Sequence, residues 1–154
     1  MKFGKSNILN EINDSFSGVE RVIPAGFAPY KVLSAFMELM GDIYARPEGE
    51  GRITLGLYIS ERHLNHQEAV HGGMVATLAD NTMGYHARLA LGSPIATVSL
   101  NVDYLGRLQL GDWLEVSCQV DRCGKRLVFL ACSGAVNGQT AFRAHGVFSA
   151  IRRG

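Results

Sequence analysis

Residues 65–87 read NHQEAVHGGMVATLADNTMGYHA, and the fold turns on this stretch. Polar residues end at His71. A run of helix formers follows, opened by Gly72 and Gly73 and closed by Gly92 and the Ser93–Pro94 break. The spacing predicts a helix over about 72–90. Met74, Val75, Ala76, Leu78, Ala79, Met83, Tyr85, Ala87, Leu89 and Leu91 leave it little polar face. A helix apolar nearly all round is expected to be buried nearly all round. One sheet covers one side; a strongly curved sheet or a second subunit must cover the other. In the middle of this helix stands one acid, Asp80. A carboxylate there costs free energy unless it is paired, hydrogen-bonded or useful.

Strand patterns surround the helix. RITLGLYIS (52–60) alternates Ile53, Leu55, Leu57 and Ile59 on one face. Beyond the helix, IATVSLNVDYL puts Val98, Leu100, Val102 and Tyr104 on one face, and DWLEVSCQVD does the same with Leu114, Val116, Cys118 and Val120. KRLVFLACSGAV and QTAFRAHGVFSAIRR complete four strands. Their connections are short, and Asn137–Gly138 is a strong hairpin signal. The four are therefore expected to meander as antiparallel neighbours. SAFMELMGDIYAR (34–46) reads as a turn of helix running into a strand near Gly41. VIPAGFAPYKVL, with two prolines, reads as a connector or short turn of helix. At the start, Ile8, Leu9, Ile12 and Phe16 have helical spacing, with Ser6 or Asn7 as cap. Residues 1–33 are expected to form an N-terminal extension, helical and packed on a domain spanning 34–154. The class is α+β, one sheet on one helix.

Bulk composition narrows the function. The 154 residues suit one domain; 47% are hydrophobic and 19% charged, and the net charge is +1. Such a balance gives no strong field toward nucleic acid or an anionic membrane. No apolar run is long enough to span a bilayer, and the first residues lack a signal-peptide core. Cys118, Cys123 and Cys132 are odd in number and form no CxxC pair. They read as small buried thiols in a reducing compartment, and the location expected is cytoplasmic.

Chemistry concentrates at the helix. The first turn of a helix offers unpaired N–H groups and a partial positive charge. Gly72 and Gly73 remove side chains there, so a ligand oxygen can approach the backbone. Either they form an oxyanion or carbonyl site, or they merely permit a tight loop-to-helix turn. Gly72 and Asp80 are eight residues apart, roughly 12 Å along the axis. One small carbonyl cannot touch both. If both serve one reaction they come from different chains, and two antiparallel helices about a two-fold axis would bring them together. His63, His66 and His71 lie close in sequence, but no cysteine or acid completes a metal set. His86 and His145 read as structural, with His86 also placed to line a pocket. Met74, Met83, Tyr85 and Phe36 either shape a pocket or form core.

The run HGGMVATLADN resembles the hotdog-fold acyl-CoA thioesterases of the phenylacetate-degradation and human thioesterase superfamily member 2 type. The resemblance continues through FMELMGDIYARPEGEGRITLGLYISERHLN, ATVSLNVDYLGRLQLGDWLEV and GKRLVF, covering about residues 34–150. It implies a hotdog fold, an antiparallel sheet wrapped around one long central helix. It also implies homodimers, often paired into homotetramers, that hydrolyse acyl-CoA with no metal or other cofactor, CoA being part of the substrate. By the same resemblance Asp80 is the catalytic acid, acting as general base or nucleophile. The Gly72 amide polarises the thioester carbonyl, Asn65 helps hold that carbonyl or the water, and His71 bonds backbone near the turn. Thr97 stands where the human-type enzymes have a serine. Gly73, Thr77, Asn81 and Met83 are candidates for binding the substrate. Arg107, Lys125 and Arg126 either meet the phosphates of CoA or are solvated turn charges. Gly106, beside Arg107, differs from the residue relatives often carry. Among rivals, a hotdog hydratase needs a His–Asp or His–Glu couple whose helix signature is missing. A non-catalytic acyl-CoA sensing module would keep the pocket but need not keep Asp80. Such a module is normally joined to a DNA-binding segment, for which residues 1–33 are short and weakly basic.

Overall fold

The structure, a computed structural model, describes residues 21–151. The N-terminal helical pattern around Ile8–Phe16 lies outside them. The elements run β1 (Ala28–Pro29), α1 (Ala35–Glu38), β2 (Tyr44–Gly49), β3 (Arg52–Tyr58), a 3-10 turn (Glu61–His63), α2 (Gly72–Leu91), β4 (Ile95–Tyr104), β5 (Trp113–Cys123), β6 (Leu127–Val136) and β7 (Gln139–Ala150). The strands form one sheet in the order β1-β2-β3-β5-β6-β7-β4, with every pairing antiparallel. The sheet wraps around α2, the hotdog arrangement.

Helix α2 starts and stops where its residues dictate. His71 is its N-cap, the ring Nδ1 accepting from the Gly73 N–H at 3.0 Å. Gly92 ends it at φ 61°, a left-handed conformation that glycine reaches without strain. Met74, Val75, Leu78, Ala79, Thr82, Met83, His86 and Ala87 are buried. They recur at helical spacing and face the sheet, against Leu57, Leu114, Val116, Val128, Leu130 and Phe148. Burying each such large apolar side chain contributes about 1.5–3 kcal/mol. The opposite stripe, from Gly73 through Ala76, Thr77, Asp80, Asn81 and Gly84 to Arg88, is not buried within the chain. Asp80 sits in that stripe.

Four expectations change. The last four strands do not meander as one. β5, β6 and β7 do, but β4 lies at the far edge beside β7, while β5 pairs with β3. The connection 105–112 is short in sequence, yet it crosses the end of the sheet. The Leu105 and Gly106 N–H groups both donate to the Ala141 carbonyl, the Gly111 N–H donates to the Ile59 carbonyl, and Leu108 is buried beneath. Gly106 permits the crossing, since a Cβ there would meet Ala141 Cα at 3.3 Å.

Within β4, the alternation breaks. Thr97 pairs with Phe148 and Ser99 with Val147, so Val98 is an extra residue, a β-bulge. Leu100 and Val102 pack on the core as expected. The bulge then turns Val98 outward, 59% exposed, and puts Ile95 and Thr97 on the side facing α2, where Ile95 packs on the core and Thr97 stays exposed.

The described part of the N-terminal extension, residues 21–33, carries no helix. Pro24 and Pro29 bar one. Phe27 instead packs edge-on against Trp113 on the outer face of the sheet, with ring centroids 5.1 Å apart. The cysteines also divide. Cys132 is buried and Cys118 half-buried, opposite each other on β5 and β6, but Cys123 is exposed near the end of β5. Burial pushes the Cys118 thiol up to about 12, with Asp121 adding to the shift.

Candidate active site

Asp80 meets three elements. Its own helix presents it on the unburied stripe. The inward turn of β4 brings Thr97 to it, Oγ1 donating to Asp80 Oδ1 at 2.8 Å. Helix α1 leans over it with Ser34 and Met37, which share two adjoining cavities with the carboxylate. Ser34 also caps α1, its Oγ accepting from the Met37 N–H. The larger cavity, about 440 Å³, runs along α2 from Asp80 and Asn81 past Gly84 to Arg88. The second holds Thr77 and Phe36 beside Asp80. Thr77 bonds back to its own helix, Oγ1 to the Gly73 carbonyl at 2.9 Å.

The mouth of the helix is a separate cavity of about 460 Å³, lined by Gly72, Gly73, Tyr104, Arg107, Leu108 and Phe142 among others. Here the two glycine amides have different fates. His71 Nδ1 takes the Gly73 N–H. The Gly72 N–H meets no acceptor among the described residues. That leaves one open donor at the positive end of a helix, where a developing oxyanion is stabilised. Tyr104 fixes the same residue from above. Its hydroxyl donates to the Gly72 carbonyl at 2.7 Å, and a Cβ on Gly72 would meet the Tyr104 ring at 3.2 Å. Gly72 and Asp80 line different cavities of one chain, as their spacing along the axis requires.

The other sequence candidates divide as follows. Asn65 organises the loop before the helix, its Oδ1 accepting from the Gln67 and Ala69 N–H groups. Its side-chain amide is left as a donor, but Asn65 is not in the wall of the mouth cavity. Met83 is fully buried against Gly146 and belongs to the core, not to a substrate pocket. Met74 is buried likewise. Tyr85 reaches the long cavity, its hydroxyl tied to the Gly51 carbonyl at 2.8 Å. Arg107 lines the mouth beside Gly72. Lys125 and Arg126 sit in the β5–β6 turn, beside Cys123, whose thiol reaches the Ala90 carbonyl at the other end of α2. One chain therefore does not gather these three cations into one patch.

His63 and His86 are occupied by backbone. His63 Nδ1 accepts from the Ser60 N–H at 3.0 Å, and its Nε2 lies 3.0 Å from the Met40 carbonyl. His86 is 2% exposed. Its Nε2 accepts from the Ile53 N–H and its Nδ1 lies 2.8 Å from the Thr82 carbonyl, which fixes a neutral ring with the proton on Nδ1. Burial lowers its proton affinity further. His86 thus clips α2 to β3 and does not line the cavity. His145 is exposed on β7.

Residues the sequence reading passed over are Gly84, Arg88 and Tyr30, all in the wall of the Asp80 cavity. Two of them were findable. Asp80, Gly84 and Arg88 stand at i, i+4 and i+8, one face of a helix.

Comparison with known proteins points the same way. The family model described as thioesterase superfamily matches residues 67–135. A protein of Pseudomonas aeruginosa, named provisionally as an esterase, is 34% identical over 128 residues, spanning 82% of this chain and 96% of that one. Human acyl-coenzyme A thioesterase 13 is 29% identical over 99 residues, 61% of this chain and 68% of the relative. Among solved structures, a Bacillus halodurans protein with CoA is 26% identical with a TM-score of 0.65, over 71% of this chain and 74% of that one. A hypothetical thioesterase from Streptococcus pneumoniae with coenzyme A has a TM-score of 0.68 at 18% identity, over 73% and 91%, a likeness of fold.

Proposed function

The chain belongs to the thioesterase superfamily, and on that premise we propose that it hydrolyses acyl-CoA thioesters at sites shared between two copies of the chain. The observation that carries the reading is the Asp80 carboxylate, held by Thr97 at 2.8 Å in the wall of a cavity on the open side of α2. An acid on an otherwise apolar helix, aimed at a cavity and oriented by a hydroxyl, is placed to activate water or to attack a carbonyl.

In the water route, Asp80 takes a proton as water adds to the thioester carbon. The carbonyl oxygen becomes an oxyanion beside the Gly72 amide of the partner subunit. The carbon–sulfur bond then breaks, and the CoA thiolate leaves and is protonated. In the nucleophilic route, Asp80 adds to the thioester carbon, the carbon–sulfur bond breaks and the CoA thiolate leaves and is protonated, and water then cleaves the resulting anhydride to free acid and Asp80. A thiolate leaves without a strong acid, so one base and one free amide suffice. His71 orients the amides, and Asn65 supplies a further donor to the carbonyl or water.

Two features support the paired site. The stripe around Asp80 includes Gly73, Ala76 and Thr77, small residues that let two such helices approach closely. Beside it, β4 is the edge of the sheet, with Val98 and Tyr104 exposed. Ten residues of open strand beside an apolar rim favour edge-to-edge pairing with a second copy.

The test is thiol release from a panel of acyl-CoAs by wild type and Asp80→Asn. Turnover in the wild type that falls about a hundredfold in the variant, with oligomeric state unchanged, supports the reading, since that is the usual contribution of a positioned base. Binding of acyl-CoA without turnover by the wild type would make the chain a sensing module. Equal turnover by both proteins would remove Asp80 from the mechanism.

A further inference from the structure

The cavity beside Asp80 has a shape and an end, and both bear on the acyl group. Its walls are mainly apolar: Val32, Met37, Ile95 and Phe148 among them. An acyl tail, not the solvated nucleotide of CoA, suits such walls. Gly84 forms the floor one turn beyond Asp80. Glycine inside a helix costs about 1 kcal/mol relative to alanine, and contacts within the chain do not demand it here. A Cβ at Gly84 would meet Phe148 at 3.6 Å and Ile95 at 3.7 Å, ordinary contact distances. What the missing methyl leaves is room along the trench.

At the far end stands Arg88, a further turn on and ~12 Å from Asp80 along the axis. Arg88 lines the same cavity as Asp80 and Gly84. No acid pairs with Arg88 among the described residues. Across the same cavity, the Tyr30 hydroxyl has no hydrogen-bond partner among them either. A trench that begins at a carboxylate, runs over bare backbone between apolar walls and ends at two unused donors is built for a tail with an acceptor at its tip.

We infer that the trench from Asp80 over Gly84 to Arg88 and Tyr30 is the acyl subsite, and that it selects medium-length acyl groups carrying a distal carboxylate, the monothioesters of dicarboxylic acids. This rests on the Asp80 reading, since it takes the thioester carbonyl to lie at Asp80. Arg88 also lies in the last turn of α2, where a cation favours the helix dipole. That role alone would not discriminate between tails.

Two ligands of equal length separate the possibilities: adipyl-CoA, with a terminal carboxylate, and hexanoyl-CoA, without one. The expected kcat/KM ratio favours adipyl-CoA roughly tenfold, the order contributed by one charge-assisted hydrogen bond. Arg88→Gln should bring the ratio near one, and Arg88→Lys should restore part of it. Gly84→Leu should lower kcat/KM for both. Because these rates presuppose turnover, the non-hydrolysable thioethers S-(5-carboxypentyl)-CoA and S-hexyl-CoA are also compared by calorimetry. Tighter binding of the carboxylated thioether, lost in Arg88→Gln, supports the inference whether or not any thioester is cleaved. Equal binding of the two by wild type overturns it and leaves the thioesterase reading intact. An equal loss for both ligands in Arg88→Gln, shared by free CoA, also overturns it and assigns Arg88 to the phosphates.

Discussion

Thr97 donates to Asp80 at 2.8 Å across seventeen residues of sequence, and the bulge at Val98 makes the contact possible. Without the extra residue, the alternation that points Leu100 and Val102 inward would point Thr97 out to solvent. The hydroxyl holds one carboxylate oxygen, and the other has no hydrogen bond among the described residues. Removing it in Thr97→Val should lower kcat by roughly three- to thirtyfold, the scale of a misoriented catalytic group rather than a missing one. Thr97→Ser should recover most of the rate. Equal rates in Thr97→Val and wild type would mean that Asp80 needs no such holder.

His86 gives the fold a pH dependence with a definite sign. Burial holds its proton affinity below the ordinary histidine value of 6.5, and the Ile53 N–H needs its Nε2 unprotonated. As pH falls through 6.5 the unfolded chain binds the proton first, while native His86 stays neutral. Stability is therefore full above that pH and declines below it, until native His86 itself titrates. Glu48, held below 4.5 by hydrogen bonds from Thr54 and Arg46, acts only at lower pH. Urea midpoints between pH 7.5 and 5 should fall with acidity in wild type. In His86→Gln, less stable throughout, that fall should flatten.

The helix and its acid were legible because their signals are local. Two glycines, an apolar run and a glycine stop define α2, and Asp80 stands out against its neighbours. Strand existence was legible from alternation. What the sequence did not disclose depends on contacts between distant segments. The crossing of residues 105–112 and the edge position of β4 follow from Leu108 and Ala141, which no spacing rule links. A bulge leaves no mark in apolar alternation, so the pattern puts Val98 inward; Thr97 stands out only by resemblance, and its bond to Asp80 has no sequence signal. Met83 was read for a pocket because an apolar helix does not say which of its faces the sheet takes. Arg88 and Gly84 were readable in principle, sharing the face of Asp80, but an arginine near a helix end has a simpler explanation in the dipole.

His71 tests the division of labour between the two glycines. As N-cap it accepts the Gly73 N–H and leaves that of Gly72 open. His71→Ala should cost about 1 kcal/mol of stability, the usual loss of a helix cap. It should also lower kcat/KM, because a second free amide loosens the first turn. His71→Asn retains a capping oxygen and should recover the stability. If it recovers the melting temperature but not the rate, the imidazole contributes to the chemistry beyond its capping bond.

Gly84 sets stability against activity at a single position. It lies inside α2 with an ordinary helical backbone, absent from the positive-φ glycines. A methyl there meets only ordinary contacts at 3.6–3.7 Å. Gly84→Ala should therefore stabilise the protein by about 0.4–1 kcal/mol through the unfolded chain's lost freedom. For a domain of this size that corresponds to a rise of roughly 1–4 °C in Tm. The same methyl narrows the trench beyond Asp80, so kcat/KM for medium-length acyl-CoAs should fall while acetyl-CoA is spared. A rise in Tm with no change in chain-length preference would mean that the acyl tail does not pass over Gly84. A fall in Tm would mean that the helix needs the glycine for close approach of a second subunit, which a concentration dependence of Tm would then reveal.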